Sequence, residues 1–264
     1  MLTLKIAKHS TSGTPIMNRT IEILPTLTEL IPHASTVILD RLTQAITDRG
    51  VATIALSGGS TPKPLYAMLG QAKFPWDKLH IFWGDERYVP QDHPDSNEKM
   101  ARDAWLNQVA IPSNNIHAVP TSDSSPAAAA AHYEQTLREI CNSSDDSDIP
   151  ALDVILLGMG DDAHTASLFP NTEALNVCDR LVTTGEKSGQ PRITFTIPMI
   201  NQGRCVLFLL AGKSKQPALE QVFAPTNDPN LYPSRFIQPQ GECIWMMDRA
   251  AGEGLLGMEG VRLI

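Results

Sequence analysis

The sequence has no two cysteines at CxxC spacing, and its four cysteines, Cys141, Cys178, Cys205 and Cys243, lie far apart. That excludes a zinc knot or a disulfide framework and predicts free core thiols in a reducing cytosol. Positive charge is also scarce: 21 Lys and Arg stand against 29 Asp and Glu, a formal net charge of −8. A nucleic-acid footprint is therefore not expected. A local cluster of Arg and Lys still suffices for an anionic ligand. No apolar run is long enough for a transmembrane helix, and the first residues lack the apolar core of a signal peptide. The GxSxG elbow of serine hydrolases is absent. The 264 residues, 42% hydrophobic, are enough for a good core in one domain.

What is present is organised around residues 152–170, LDVILLGMGDDAHTASLFP. Leu152, Val154, Ile155, Leu156 and Leu157 form an apolar run bounded by polar residues and by glycines, the pattern of a strand buried on both faces. Gly158 and Gly160 end it and allow a sharp turn or close approach to a ligand. Asp161, Asp162 and His164 follow, and in open α/β sheets ligands sit beyond the carboxyl ends of the strands. A loop of solvated aspartates, with the histidine capping a next short helix, fits the same residues. A metal site is not expected, because no second histidine or cysteine stands at ligand spacing nearby.

The rest of the chain alternates strand and helix. Strands are predicted at residues 20–24, 51–56, 79–83, 191–198, 204–210 and 242–248. Thr26 with Glu29 reads as a capping box. Apolar residues then recur at helical spacing up to Gly50, and Pro32 demands a kink or a later start. Further helices are predicted over 96–109, from Ser125-Pro126 to 140, and after Asp248 as cap. Residues 142–148 read as a polar surface loop. Ser57-Gly58-Gly59-Ser60-Thr61-Pro62 leads from a strand into a helix, with Thr61 as N-cap and Pro62 in the first turn. Such a loop offers free N–H groups and a favourable dipole to a phosphate. A plain tight turn needs similar residues, and the segment is neither a dinucleotide fingerprint nor a P-loop. The alternation implies an α/β fold, a mostly parallel sheet with helices on both faces.

Residues 158–170, GMGDDAHTASLFP, resemble the signature of the 6-phosphogluconolactonase family, in which glycine occupies the place of Ala163. SGGSTP, GDERYVP with Ser96-Asn97, PRITFTIPMIN, and a GxxK pattern ending at Lys215 resemble further family segments in the same order. Residues 233–239 and 242–248 resemble the family's closing strand. The resemblance spans roughly residues 17–256. It implies the Rossmann-like sheet shared with sugar-phosphate isomerases and deaminases, and one lactonase domain over residues 17–264. Residues 1–16 are then expected to be a disordered extension, with Met17 an alternative start. The resemblance also implies an anion-binding half made of Ser57, Gly58, Gly59, Ser60, Thr61, Arg87 and Lys215. Asp85 and Glu86 either bind substrate or hold Arg87 in place. Arg192 either reaches the site or orients its strand.

The implied reaction is hydrolysis of 6-phospho-D-glucono-1,5-lactone to 6-phospho-D-gluconate, in the cytoplasmic oxidative pentose phosphate pathway. His164 is expected to take the proton from water, with Asp162 orienting it. Ser167 is expected to be a helix residue rather than a nucleophile. Neither an organic cofactor nor a metal is expected. The implied partner is the phosphorylated sugar lactone, with no nucleic acid and no membrane, on a monomer or weak dimer. One alternative is an aminosugar-phosphate isomerase or deaminase, which typically follows its histidine with Ile-Ala-Phe-Asn-Glu-Pro. Here Thr165-Ala166-Ser167-Leu168-Phe169-Pro170 has no glutamate. Another is a sugar-phosphate sensor without chemistry, which is expected to lose the histidine or gain a DNA-binding segment.

Overall fold

The computed structural model describes residues 19–143 and 148–264. The expected extension at 1–16, the alternative start at Met17 and residues 144–147 of the expected surface loop lie outside the described residues. In chain order the strands are β1 (Arg19–Leu24), β2 (Ala52–Leu56), β3 (Leu79–Trp83), β4 (Asp85–Arg87), β5 (Val154–Leu157), β6 (Val182–Lys187), β7 (Gln190–Phe195), β8 (Cys205–Leu210), β9 (Glu242–Asp248) and β10 (Val261–Leu263). The α-helices are α1 (Leu27–Arg49), α2 (Pro62–Leu69), α3 (Asn97–Ala104), α4 (Pro126–Ile140), α5 (Ile197–Asn201), α6 (Gln216–Phe223) and α7 (Arg249–Gly252). Among the described residues, no helix is long and apolar enough to cross a membrane.

Seven strands form one sheet in the order β10-β1-β9-β8-β5-β2-β3, and every pairing in it is parallel. β5 and β8 are buried at every residue, which is why they read as unbroken apolar runs. The chain leaves β2 toward β3 on one side, while β5, β8 and β9 continue on the other. The crevice between the carboxyl ends of β2 and β5 is therefore a topological switch point, where open α/β sheets bind ligands. The loops that follow these two strands, residues 57–61 and 158–164, flank that crevice.

Local rules place several elements. Thr26 caps α1, taking the Glu29 N–H and donating its hydroxyl to the Glu29 carboxylate at 2.9 Å. The helix starts at Leu27 and carries Pro32 inside it. A proline so near the start forfeits only one backbone bond, and Leu30, Ala34, Ile38, Leu42 and Ala45 bury one continuous stripe. Each large residue there is worth about 1.5–3 kcal/mol. Gly50 ends the helix in the left-handed region at φ 82°. Ser125 caps α4, and Asp248 caps α7 while also accepting the Gly212 N–H at 3.0 Å.

Other expectations are corrected. The helix predicted over 96–109 stops at Ala104, because Trp105 leaves helical geometry (φ −147°) to pack between Tyr66 and Trp76. The strand predicted at 191–198 ends at Phe195, where Thr196 caps α5. Residues Pro233–Phe236 form a 3-10 turn rather than a strand. Only Cys205 and Cys243 are core thiols; Cys141 is half-buried and Cys178 is exposed. A second sheet, antiparallel in the order β4-β7-β6, was not foreseen, although its strand β7 falls within the predicted 191–198 but for its first residue.

Candidate active site

The loop after β2 is held from below by Tyr66 of α2, whose hydroxyl accepts the Ser57 N–H at 3.0 Å and donates to the Ser57 carbonyl at 2.6 Å. Its two glycines serve different needs. Gly59 has φ 99°, a left-handed conformation. Gly58 lies against Asn97, whose Oδ1 would be 2.0 Å from any Cβ placed there. Pro62 takes the first helical position as expected, but Thr61 is already helical and makes no side-chain cap. The first turn of α2 thus has no side-chain acceptor from Thr61, and its N-terminus faces the crevice.

The loop after β5 carries the acid–base residues. His164 Nδ1 and Asp162 Oδ1 share a short hydrogen bond, and the same carboxylate oxygen accepts the His164 backbone N–H at 3.2 Å. The hydrogen bond from His164, the largest influence, holds the Asp162 carboxyl well below the usual carboxylate range. Gly160 is needed for the ring itself: a Cβ there would lie 2.1 Å from two imidazole atoms. Ala163, where the resembled signature has glycine, sits at φ 61° and is fully buried. Ala166 is also left-handed, at φ 47°. No helix follows: Thr165 and Leu168 form an isolated bridge, so Ser167 is not the helix residue expected of it. Two αL residues in four make a helix there impossible. Ser167 instead donates to Asp85 Oδ2 at 2.7 Å.

The small second sheet supplies cations. Arg87 on β4 and Arg192 on β7 are directly opposite in register, so both point to one face. Neither forms an ion pair among the described residues, and the Nε of each is buried without a hydrogen-bond partner. Burial, and then the neighbouring Arg87 charge, lower the Arg192 pKa. An anion placed between the two would relieve both. Of the alternatives for Arg192, the structure places it in the cleft. Glu86 is a correction: it is 2% exposed and turned away from the cleft. Its carboxylate accepts the N–H groups of Arg87, Asn97 and Glu98 at 2.7–2.8 Å. It therefore caps α3, as alternation along a strand dictates for the residue between Asp85 and Arg87.

Lys215 lies in a 3-10 turn after β8 and donates to Asp161 Oδ1 at 2.7 Å. The structure gathers Ser57, Gly58, Gly59, Ser60, Thr61, Asp85, Arg87, His164, Arg192 and Lys215 around one cleft of about 420 Å³. That is within the range of small-molecule sites. A larger hollow of about 1050 Å³ between α4 and β6 shares none of these residues. Its wall carries hydroxyls and carboxylates but no histidine, whereas His164 and the candidate cations line the smaller cleft. Sequence reasoning named Asn97 and Asp161 without their roles, as a support and as the partner of Lys215, and missed Lys187 at the end of β6. The Ser188-Gly189 turn was the one signal that marked a hairpin there. Among the described residues, no three His, Cys, Asp or Glu side chains are grouped to hold a metal ion.

Residues 25–245 match the sequence family described as glucosamine-6-phosphate isomerases/6-phosphogluconolactonase. The chain belongs to this family. It is 62% identical to the 6-phosphogluconolactonase of Nostoc sp. over 239 residues, covering 90% of this chain and 99% of that one. To the 6-phosphogluconolactonase of Synechocystis sp. it is 57% identical, covering 89% and 98%. Among solved structures, 6-phosphogluconolactonase from Trypanosoma cruzi superposes with a TM-score of 0.80 at 30% identity, over 94% of this chain and 100% of that one. A monomeric glucosamine-6-phosphate deaminase shares the fold, with a TM-score of 0.74 at 19% identity over 88% of this chain and 99% of that one. The family's α/β sheet is thus the one seen here.

Proposed function

We propose that this protein hydrolyses 6-phospho-D-glucono-1,5-lactone to 6-phospho-D-gluconate, as a lactonase of the pentose phosphate pathway. The observation that carries the reading is the 62% identity to a 6-phosphogluconolactonase along 99% of that relative's length. Residues 17–264 act as one lactonase domain, in the cytoplasm, as a monomer or weak dimer without a nucleic-acid partner. The acidic net charge of −8 supports the last point.

The mechanism follows from the His164–Asp162 pair. Asp162 accepts a hydrogen bond from Nδ1–H, which leaves Nε2 as the basic nitrogen. Nε2 removes a proton from water as its oxygen attacks C1 of the lactone. The carbonyl electron pair moves to oxygen, and positioned donors stabilise the tetrahedral oxyanion. Collapse breaks the bond from C1 to the ring oxygen, which takes the proton back from His164. Arg87, Arg192, Lys215 and the 57–61 loop hold the phosphate. Nothing is oxidised and no group is carried, so the scheme uses no cofactor.

The test is the disappearance of fresh 6-phosphogluconolactone with wild type, with His164→Ala and without protein, alongside ammonia release from glucosamine 6-phosphate. Acceleration that His164→Ala abolishes is expected. Ammonia release without lactone hydrolysis moves the protein to the deaminases. Binding of both compounds without turnover makes it a sensor.

A further inference from the structure

The cations around the cleft are not equivalent. Arg87 and Arg192 face each other, and Lys215 is paired with Asp161 at 2.7 Å. Lys187 sits on the adjacent strand β6, two residues beyond Gly185, the register partner of Arg192. It is the last residue of β6, followed by Ser188 at φ 53° and Gly189 at φ 78°. Two successive positive-φ residues make the tight hairpin turn whose twist matches its strands. Lys187 lines the cleft from this tip, and among the described residues it forms no ion pair. Its ammonium lies 5.3 Å from the centre of the Phe169 ring. That ring is in turn 4.6 Å, centre to centre, from the His164 imidazole. Lys187 is therefore one ring away from the base.

We propose that Lys187 is a further catalytic residue, whose ammonium receives the lactone carbonyl oxygen as it becomes an oxyanion and then holds the product carboxylate. The inference rests on the lactonase reading above. The substrate's phosphate is charged before, during and after the reaction, so cations that hold it bind all three states alike. Only a cation at the other end gains as negative charge develops on the carbonyl oxygen, and only such a gain lowers the barrier. In the ground state the ammonium rests on Phe169, a weak contact that a full negative charge displaces. Lys187 also acts, after the several contributions of His164, to keep the Asp162 carboxyl low. Atoms balance: the attacking water becomes part of the acid, its proton ends on the ring oxygen, and the new acid's proton goes to solvent.

The experiment uses the full chain with Lys187→Met, which keeps the apolar stem over Phe169, and Lys187→Arg. Steady-state kinetics on 6-phosphogluconolactone are read with competitive inhibition by 6-phosphogluconate and by glucose 6-phosphate, which lacks the carboxylate. Lys187→Met is expected to lower kcat about tenfold, below the effect of a buried oxyanion donor because the residue is exposed. It should weaken 6-phosphogluconate inhibition by a similar factor and leave glucose 6-phosphate inhibition unchanged. Lys187→Arg should restore most of kcat. Unchanged kcat and product inhibition in Lys187→Met overturns the proposal, as does equal weakening of both inhibitors, which assigns Lys187 to the phosphate. Failure of the lactonase reading looks different, since the wild type itself is then inert toward the lactone.

Discussion

The carbonyl oxygen of Ala163 is gripped twice by Ser234, by its backbone N–H at 2.9 Å and by its hydroxyl at 2.8 Å. The clasp fixes a residue whose φ of 61° costs a non-glycine residue about 1–2 kcal/mol. Ala163→Gly removes that cost but also a buried methyl worth about 0.8 kcal/mol, and frees the unfolded chain by about 0.5–1 kcal/mol. The net change in stability is expected to stay within about 1 kcal/mol. Ala163→Val, branched at a left-handed and fully buried position, is expected to lose about 3 kcal/mol or more. Urea unfolding of both variants checks this, and a tolerated valine refutes it.

Asp162→Asn tests the partner of the proposed base. It should lower kcat by about 10²–10⁴ with little change in KM, because the imidazole loses its anchor and its charged form loses a counter-ion. The Asp162 carboxyl is held below its ordinary value, chiefly by the hydrogen bond from His164. The sign follows: a depressed folded pKa gives an interaction present above pH about 4 and lost as pH falls further. The variant should therefore lack that part of the wild type's loss of stability in acid, measured by thermal melting between pH 2 and 6.

Glu86 gives the opposite slope. Burial, against three backbone N–H donors, pushes its carboxyl up to about 7. A folded value above the unfolded one means that the native state binds more protons between them. Stability should therefore fall as pH rises from about 4.5 to about 7. Glu86→Gln should flatten that slope in urea titrations at pH 5 and pH 8. Glu86→Ala should cost about 2–4 kcal/mol at either pH, since it strands the N–H groups of Arg87, Asn97 and Glu98.

Arg87 and Arg192 are expected to act together on phosphate. Arg192→Met should raise KM about 10- to 100-fold with a smaller change in kcat. Combining it with Arg87→Met should cost less than the product of the single effects, because removing either also removes their mutual repulsion. A strictly multiplicative double mutant would show that the two arginines bind separate groups.

Much of the seven-stranded sheet was legible because fully buried parallel strands announce themselves as apolar runs: the predicted 79–83 and 242–248 match β3 and β9 residue for residue. Of the small sheet only β7 was. β6, VTTGEK, buries only its first two residues and shows no alternation, so only tertiary pairing makes it a strand. β4 is three charged residues long and reads as a solvated loop until its partner β7 is in place. The loops after β2 and β5 were located by glycines and by their place at strand ends. Which way Glu86 and Arg192 point was decided by register with a partner strand, and one chain read alone carries no record of register.

That division between sheets separates two design problems. Arg87, Lys187 and Arg192 ride on the small antiparallel sheet, whereas His164 and the glycine loop hang from the large parallel one. A hairpin tip tolerates insertion and replacement far better than a strand end packed in a core. Altered β6–β7 hairpins that keep Lys187 and Arg192 are thus the natural library for retargeting this scaffold to other lactones, since they rewrite one wall of the cleft while the imidazole keeps its seat.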